Sequence, residues 1–250
     1  MTTVISHSIA GTGIYKTPIG FANDANAAFP YRWTNQSTAT STTTVIASAG
    51  THNKVLELYD ATNLTRAQCY FTLSADVVSG TIEWYWSISA INKFNCIWLK
   101  DSAAAEMLYL ENQTGTSVYR CLSSGAVWTT LINPIVAAQW YHFRVDYVVA
   151  THKCNVYVDG VLKADNVDFT NNGALGFYKF HTDTANTPNA FYVYFDAIGV
   201  TGVNGYAIGD NLNAYTSVVY KRALARRGTH ESHHDFSAFD ITKMSFPQQI

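Results

Sequence analysis

Trp140-Tyr141-His142-Phe143-Arg144-Val145-Asp146-Tyr147 is the stretch from which the fold is read, together with Cys154-Asn155-Val156-Tyr157-Val158-Asp159-Gly160 shortly after it. In the first, Tyr141, Phe143, Val145 and Tyr147 alternate with Trp140, His142, Arg144 and Asp146. A strand with one face in a core and the other toward water or a ligand produces this period of two. In the second, Asp159-Gly160 separates Asn155–Val158 from Val161–Ala164. A two-residue Asp-Gly loop accepts positive φ, so a tight hairpin is predicted there. The alternation recurs in Thr81–Ile88, where Ile82, Trp84, Trp86 and Ile88 face one way and Glu83, Tyr85 and Ser87 the other.

Working outward, similar short runs follow one another at near-regular spacing: Val55–Tyr59, Ala67–Ser74, Phe94–Lys100, Met107–Glu111, Ser117–Leu122, Ala174–Phe180 and Phe191–Val200. No segment of helical period lies between them. The reading is all-β: one antiparallel sandwich, a jelly roll of about eleven to thirteen strands. Residues 1–50 read as an extended N-terminal arm with one or two strands, 51–201 as the jelly-roll core, and 202–250 as a turn-rich segment and C-terminal tail. Composition agrees. Of 250 residues, 48% are hydrophobic and 14% aromatic, while only 14% are charged, which excludes a disordered chain and a long helical one. The formal net charge of -2 gives no reason to expect nucleic acid as a partner. No run is long and apolar enough for a membrane span, and the start shows no signal peptide.

The two quoted stretches, with Tyr192-Val193-Tyr194-Phe195-Asp196-Ala197-Ile198-Gly199 as a closing strand, resemble the laminin G-like and concanavalin A-like jelly rolls. That superfamily holds lectins, adhesion modules, virion proteins, glycosidases and polysaccharide lyases, so the resemblance implies a fold more than a function. Its laminarinase-type glycosidases carry two catalytic carboxylates on one strand, which a retaining mechanism needs. Here the corresponding strand offers Glu83 alone among Trp84, Tyr85 and Trp86. The alginate-lyase branch implies an Arg- and Glu-bearing strand, a Gln-x-His strand and a late strand that Gly176–His181 faintly resembles; the first two are missing. The expectation is therefore a non-enzymatic surface or assembly protein, such as a virion structural or decoration component. The alternative is a lectin-like carbohydrate-binding module, and the third reading a polysaccharide lyase or glycosidase. A virion, an extracellular space or a cell surface is the expected location.

Sugar rings would stack on outward aromatics, so the candidate carbohydrate set is Tyr85, Trp140, Tyr157, Tyr192 and Tyr194, with His142, Arg144 and Asp146 as hydrogen-bonding groups. The bland reading is that these rings cover the second sheet or a neighbouring subunit. Residues 228–250 carry Phe236, Phe239, Ile241, Met244, Phe246 and Ile250 without strand or helix period. Such a segment orders only by docking, so these six are the candidate assembly residues, and copies of the chain or another subunit the expected partners, with glycans the other. No cofactor motif is present. Asp60, Asp196 or Asp210 beside backbone carbonyls would suit a structural calcium ion, though lone aspartates commonly cap turns. His230, His233 and His234 offer imidazoles to a transition metal but lack the second element that closes a site. Cys69, Cys96, Cys121 and Cys154 each sit in an apolar stretch and read as buried hydrophobes, with a Cys96–Cys121 disulfide as the alternative.

Overall fold

The computed structural model describes residues 4–14, 21, 24–171, 173–183, 190–201 and 215–221. Among the described residues, those of 8–217 belong to one compact unit, and 4–7 with 218–221 to a second. Strand β1 (Val4–Ile14) pairs with β16 (Tyr215–Lys221) in a two-stranded sheet. The other fourteen strands form two antiparallel sheets of seven.

The first sheet holds β2 (Thr34–Asn35), β5 (Gln68–Val77), β7 (Asn95–Asp101), β8 (Glu106–Asn112), β9 (Tyr119–Leu122), β10 (Trp128–Ile132) and β14 (Leu175–Thr182). Their spatial order is β10-β9-β8-β7-β14-β5-β2. The second holds β3 (Thr42–Ala49), β4 (His52–Asp60), β6 (Ser79–Ile88), β11 (Tyr141–Val148), β12 (Lys153–Val158), β13 (Val161–Asp168) and β15 (Phe191–Val200). Their order is β13-β12-β11-β6-β15-β4-β3. The chain crosses repeatedly between the sheets, as a jelly roll requires.

Alternation explains the core. Ile82, Trp84, Trp86 and Ile88 on β6, and Tyr141, Phe143, Val145 and Tyr147 on β11, are all buried. Aromatic rings then bridge the sheets. Phe180 of β14 stacks on Phe195 of β15 at 4.0 Å, and Tyr119 of β9 meets Trp86 at 4.7 Å and Phe143 at 4.9 Å. Large rings with offset or edge contacts fill the space between two facing sheets better than aliphatic chains of equal number. Within this packing Trp86 Nε1 donates to Asn95 Oδ1 at 3.0 Å.

The Asp159-Gly160 hairpin is as read, with φ of 49° and 76° at the two positions and β12 paired to β13 around them. Asp159 also ties the hairpin to β11: its carboxylate accepts the His142 N–H at 2.8 Å and its N–H donates to the His142 carbonyl at 2.8 Å. The count of strands departs from the reading. Residues 1–50 contain β1, β2 and β3 rather than one or two strands, and β10 arises from Trp128–Ile132, which carried no clear alternation. The Cys96–Cys121 alternative is corrected. All four cysteines are free and buried, and β8 lies between the strands of Cys96 and Cys121. The pair would have to bridge roughly 9–10 Å between alternate strands from opposite faces of the sheet.

Candidate functional site

Sheet register assembles a line of side chains that the sequence scatters. On the outer face of the first sheet, Tyr70 of β5 stands opposite Lys179 of β14, Lys179 opposite Trp98 of β7, and Trp98 opposite Tyr109 of β8. Tyr109 faces Leu122 of β9, and Leu122 faces Trp128 of β10. One row therefore crosses six strands at right angles to them. Directly opposed side chains in a sheet are near neighbours, as Trp98 and Tyr109 are at 5.9 Å. Rings also meet across β9, Tyr109 to Trp128 at 5.9 Å, and diagonally between β5 and β14, Tyr70 to Phe177 at 5.6 Å.

Cations lie along this row. Lys100 Nζ sits 4.4 Å and Lys179 Nζ 5.3 Å from the Trp98 ring centre, while the Arg120 guanidinium covers Trp128 at 3.7 Å. Around the β5–β14–β7 end the surface sinks into a groove of about 550 Å³ lined by Tyr70, Trp98, Lys100, Phe177, Lys179 and Gly176. Gly176 permits that shape, because a Cβ there would lie 2.5 Å from the Ser102 backbone nitrogen. Burial first, then the charges of Lys100 and Arg66, hold the Lys179 amine below the usual lysine range.

A second row runs beside the first and supports it. His181 of β14 is opposite Cys96 of β7, Cys96 opposite Glu111 of β8, and Glu111 opposite Arg120 of β9. His181 Nδ1 donates to the Thr182 carbonyl at 2.8 Å, so Nε2 is left to accept from the Cys96 thiol. Burial pulls His181 down to about 4 and pushes the Cys96 thiol up, which makes this a neutral contact. Glu111 Oε1 accepts from Arg120 Nε at 2.8 Å and from Nη2 at 2.5 Å. Burial, with Cys96 and Glu111 alongside, raises the Tyr109 hydroxyl far above the usual phenol range, so it remains a donor.

The carbohydrate set named from sequence lies on the opposite side of the molecule. Tyr85, His142, Arg144, Asp146, Tyr157, Tyr192 and Tyr194 share the outer face of the second sheet, with Trp140 just before β11. Three groups form among them. Tyr85 meets His142 at 4.9 Å, and Trp140, Tyr194 and Tyr192 make a chain of rings at 6.3 and 6.2 Å. Arg144 binds both Asp146 oxygens at 2.8 and 2.7 Å and lies 5.2 Å from the Tyr157 ring. Several of their polar atoms are already committed. His142 Nε2 is 3.0 Å from Glu83 Oε2, so Glu83, which stood alone in the sequence, is paired in the fold. Trp140 Nε1 donates to the Ala49 carbonyl at 3.1 Å, and its ring stacks on His52 at 3.9 Å.

Asp60 and Asp196, the described calcium candidates, bind protein donors. Asp60 accepts from Ser41 Oγ at 3.4 Å. Asp196 accepts from His52 Nδ1 and the Ala197 N–H, at 2.8 and 2.7 Å. Asp210, His230, His233 and His234, and the assembly candidates Phe236, Phe239, Ile241, Met244, Phe246 and Ile250, lie outside the described residues. Among the described residues no helix is long and apolar enough to cross a membrane.

No protein-family model matches the sequence, and no curated protein does. Solved structures do share the fold. A sialidase aligns over 78% of this chain with a TM-score of 0.64 at 13% identity, and the chain spans 19% of that protein's length. A Crh5 transglycosylase aligns over 75% of this chain and 87% of its own, with a TM-score of 0.50 at 9% identity. An alginate lyase of Polysaccharide Lyase family 7 aligns over 75% and 92%, with a TM-score of 0.49 at 11% identity. The chain thus shares the antiparallel jelly-roll sandwich fold of these structures. Two expectations are corrected by these neighbours: neither the sialidase nor the transglycosylase is a virion or assembly protein, and both are enzymes, so the fold gives no support to the non-enzymatic reading. The physical reason is that the absence of one motif from one strand, Thr81–Ser89, said nothing about the outer face of the other sheet.

Proposed function

We propose that this chain is a carbohydrate-active protein that takes a glycan chain along the outer face of its first sheet, with Trp98 and Tyr109 as the stacking platform. The observation that carries the reading is the register row from Tyr70 to Trp128. A sugar ring presents apolar C–H faces and a rim of hydroxyls, so it is held by aromatic rings flanked by polar side chains. That combination lines the row, and the groove at its β14 end offers the concavity. The finer placement in the laminin G-like branch belongs to the same proposal and rests on the Asp159-Gly160 hairpin.

Affinity electrophoresis of the full chain through gels containing a panel of plant, algal and microbial polysaccharides tests it. At least one polymer should retard the protein, and Trp98→Ala should remove that retardation while leaving the circular dichroism spectrum intact. No retardation by any polymer, or equal retardation of the variant, refutes this placement of the site.

A second reading, cleavage of the bound chain, is favoured by Lys179 and Tyr70. They face each other across β5 and β14 at the floor of the groove, an amine held below its ordinary range beside a phenol. A base and an acid one strand apart can act on the same sugar. Release of short products from a polymer that binds, lost in Lys179→Met, is the expected result.

A further inference from the structure

We propose that the glycan taken by this face is anionic and about five sugars long, with its acid groups meeting Lys179 and Lys100. The inference rests on the glycan reading above and adds the ligand's charge and length.

Charge comes first. Both ammonium groups sit over one indole, that of Trp98, at 5.3 and 4.4 Å. Ion pairs among the described residues engage Arg120, Arg144, Lys153, His52 and His142, and neither of these two lysines. Of the carboxylates nearby, Glu111 is held by Arg120, Asp76 by the Ser102 hydroxyl at 2.9 Å and Asp101 by the Ala105 N–H at 2.7 Å; Glu106 stands opposite Lys100 and feels its charge, but makes no ion pair with it. Lys100 gives one bond to the Ala104 carbonyl at 3.1 Å, which leaves two of its three donors. Two like charges crowded on a half-buried floor repel each other. An anion placed between them relieves that repulsion and gains charge-assisted hydrogen bonds. A neutral sugar does neither. Carboxylates of a uronic acid and sulfate esters supply this same chemistry.

Length follows from the sheet. The row from Tyr70 on β5 to Trp128 on β10 spans five strand-to-strand steps in the order β5-β14-β7-β8-β9-β10. At roughly 4.8 Å per step this is roughly 24 Å. An extended pyranose chain advances by close to one such step per sugar. At the far end the Arg120–Glu111 pair cancels its own charge beside Trp128, so the acid requirement belongs to the β14–β7 end and stacking to the other.

Titration calorimetry of the full chain distinguishes this inference from the reading beneath it. The probes are polygalacturonate, its carboxyl-reduced neutral counterpart, and a sulfated neutral-backbone polysaccharide. The charged polymers should bind at least about tenfold more tightly than the reduced one, and in K100Q/K179Q that preference should shrink to near parity. Preference for polygalacturonate or for the sulfated polymer identifies the acid group. Equal binding of charged and neutral forms overturns the charge inference and leaves the glycan site standing. Binding by none of the three, with no retardation on the wider panel, overturns both. Oligosaccharides of two to six units should gain affinity up to about five; a plateau at two overturns the length.

Discussion

On the outer face of the second sheet the charged groups near the centre have partners at hydrogen-bonding distance; on the first, two lysines share one indole and, among the described residues, make no ion pair. Both faces carry the outward half of an alternating pattern, and both are rich in tyrosine and tryptophan. The difference is what the polar groups do. Glu83, His142, His52 and Asp196 are buried although they point away from the core, and they bind one another in pairs. Around Trp98, by contrast, rings and amines remain part-exposed beside a groove. An outward aromatic is therefore weak evidence for a ligand until the polar atoms around it are accounted for. One face is a seal and the other is a platform.

The largest expected effect tests the seal. Asp196→Ala leaves the buried His52 ring without its 2.8 Å partner and should cost about 3 kcal/mol in urea unfolding. A loss as small as that of a surface substitution would mean this face is not sealed. Next comes the buried row beneath the platform. His181 sits at about 4 rather than its ordinary 6.5 because burial disfavours its charged form. Between those values the unfolded chain binds a proton that the folded chain refuses, so stability falls as pH drops from about 6.5 toward 4. His181→Gln should reduce the stability lost between pH 7 and pH 4.5 by about 2 kcal/mol. An unaltered profile would place the acid sensitivity elsewhere. The smallest effect is the sharpest comparison. Tyr192 is exposed and stacks on Tyr59 at 5.0 Å, so Tyr192→Ala should change stability by less than about 1 kcal/mol and leave glycan retardation untouched. Loss of retardation in that variant would move the site to the second sheet.

Much of the sandwich is legible in the sequence because alternation is local. Ile82-Glu83-Trp84-Tyr85-Trp86 states its two faces within five residues, and Asp159-Gly160 states its turn within two. Strand β3 is harder to read, since threonine suits either face: Thr43 is buried and Thr42 exposed on the same strand. The short β10, followed closely by Pro134, offers too few residues for a period. The candidate site fails for a different reason. Tyr70, Trp98, Tyr109, Trp128 and Lys179 come from five strands and meet only through register, which no window of sequence contains. The set read from sequence came instead largely from one strand and its hairpin neighbour, where side chains are close in sequence and space at once. What remained hidden there was the partner of each charge. His52 and Asp196 lie 144 residues apart, and Glu83 meets His142 only after β6 and β11 have paired.

The four buried thiols give the fold a set of clocks. Cys69 and Cys121 point into the core from β5 and β9, Cys154 from β12, and Cys96 lies under the aromatic row on β7. Burial raises each thiol above its ordinary range, which keeps the reactive thiolate scarce while the sheets are closed. Each cysteine becomes reactive toward an alkylating reagent when its own strand opens. Because the four sit on four different strands of both sheets, the order in which they are labelled records the order in which the sandwich comes apart.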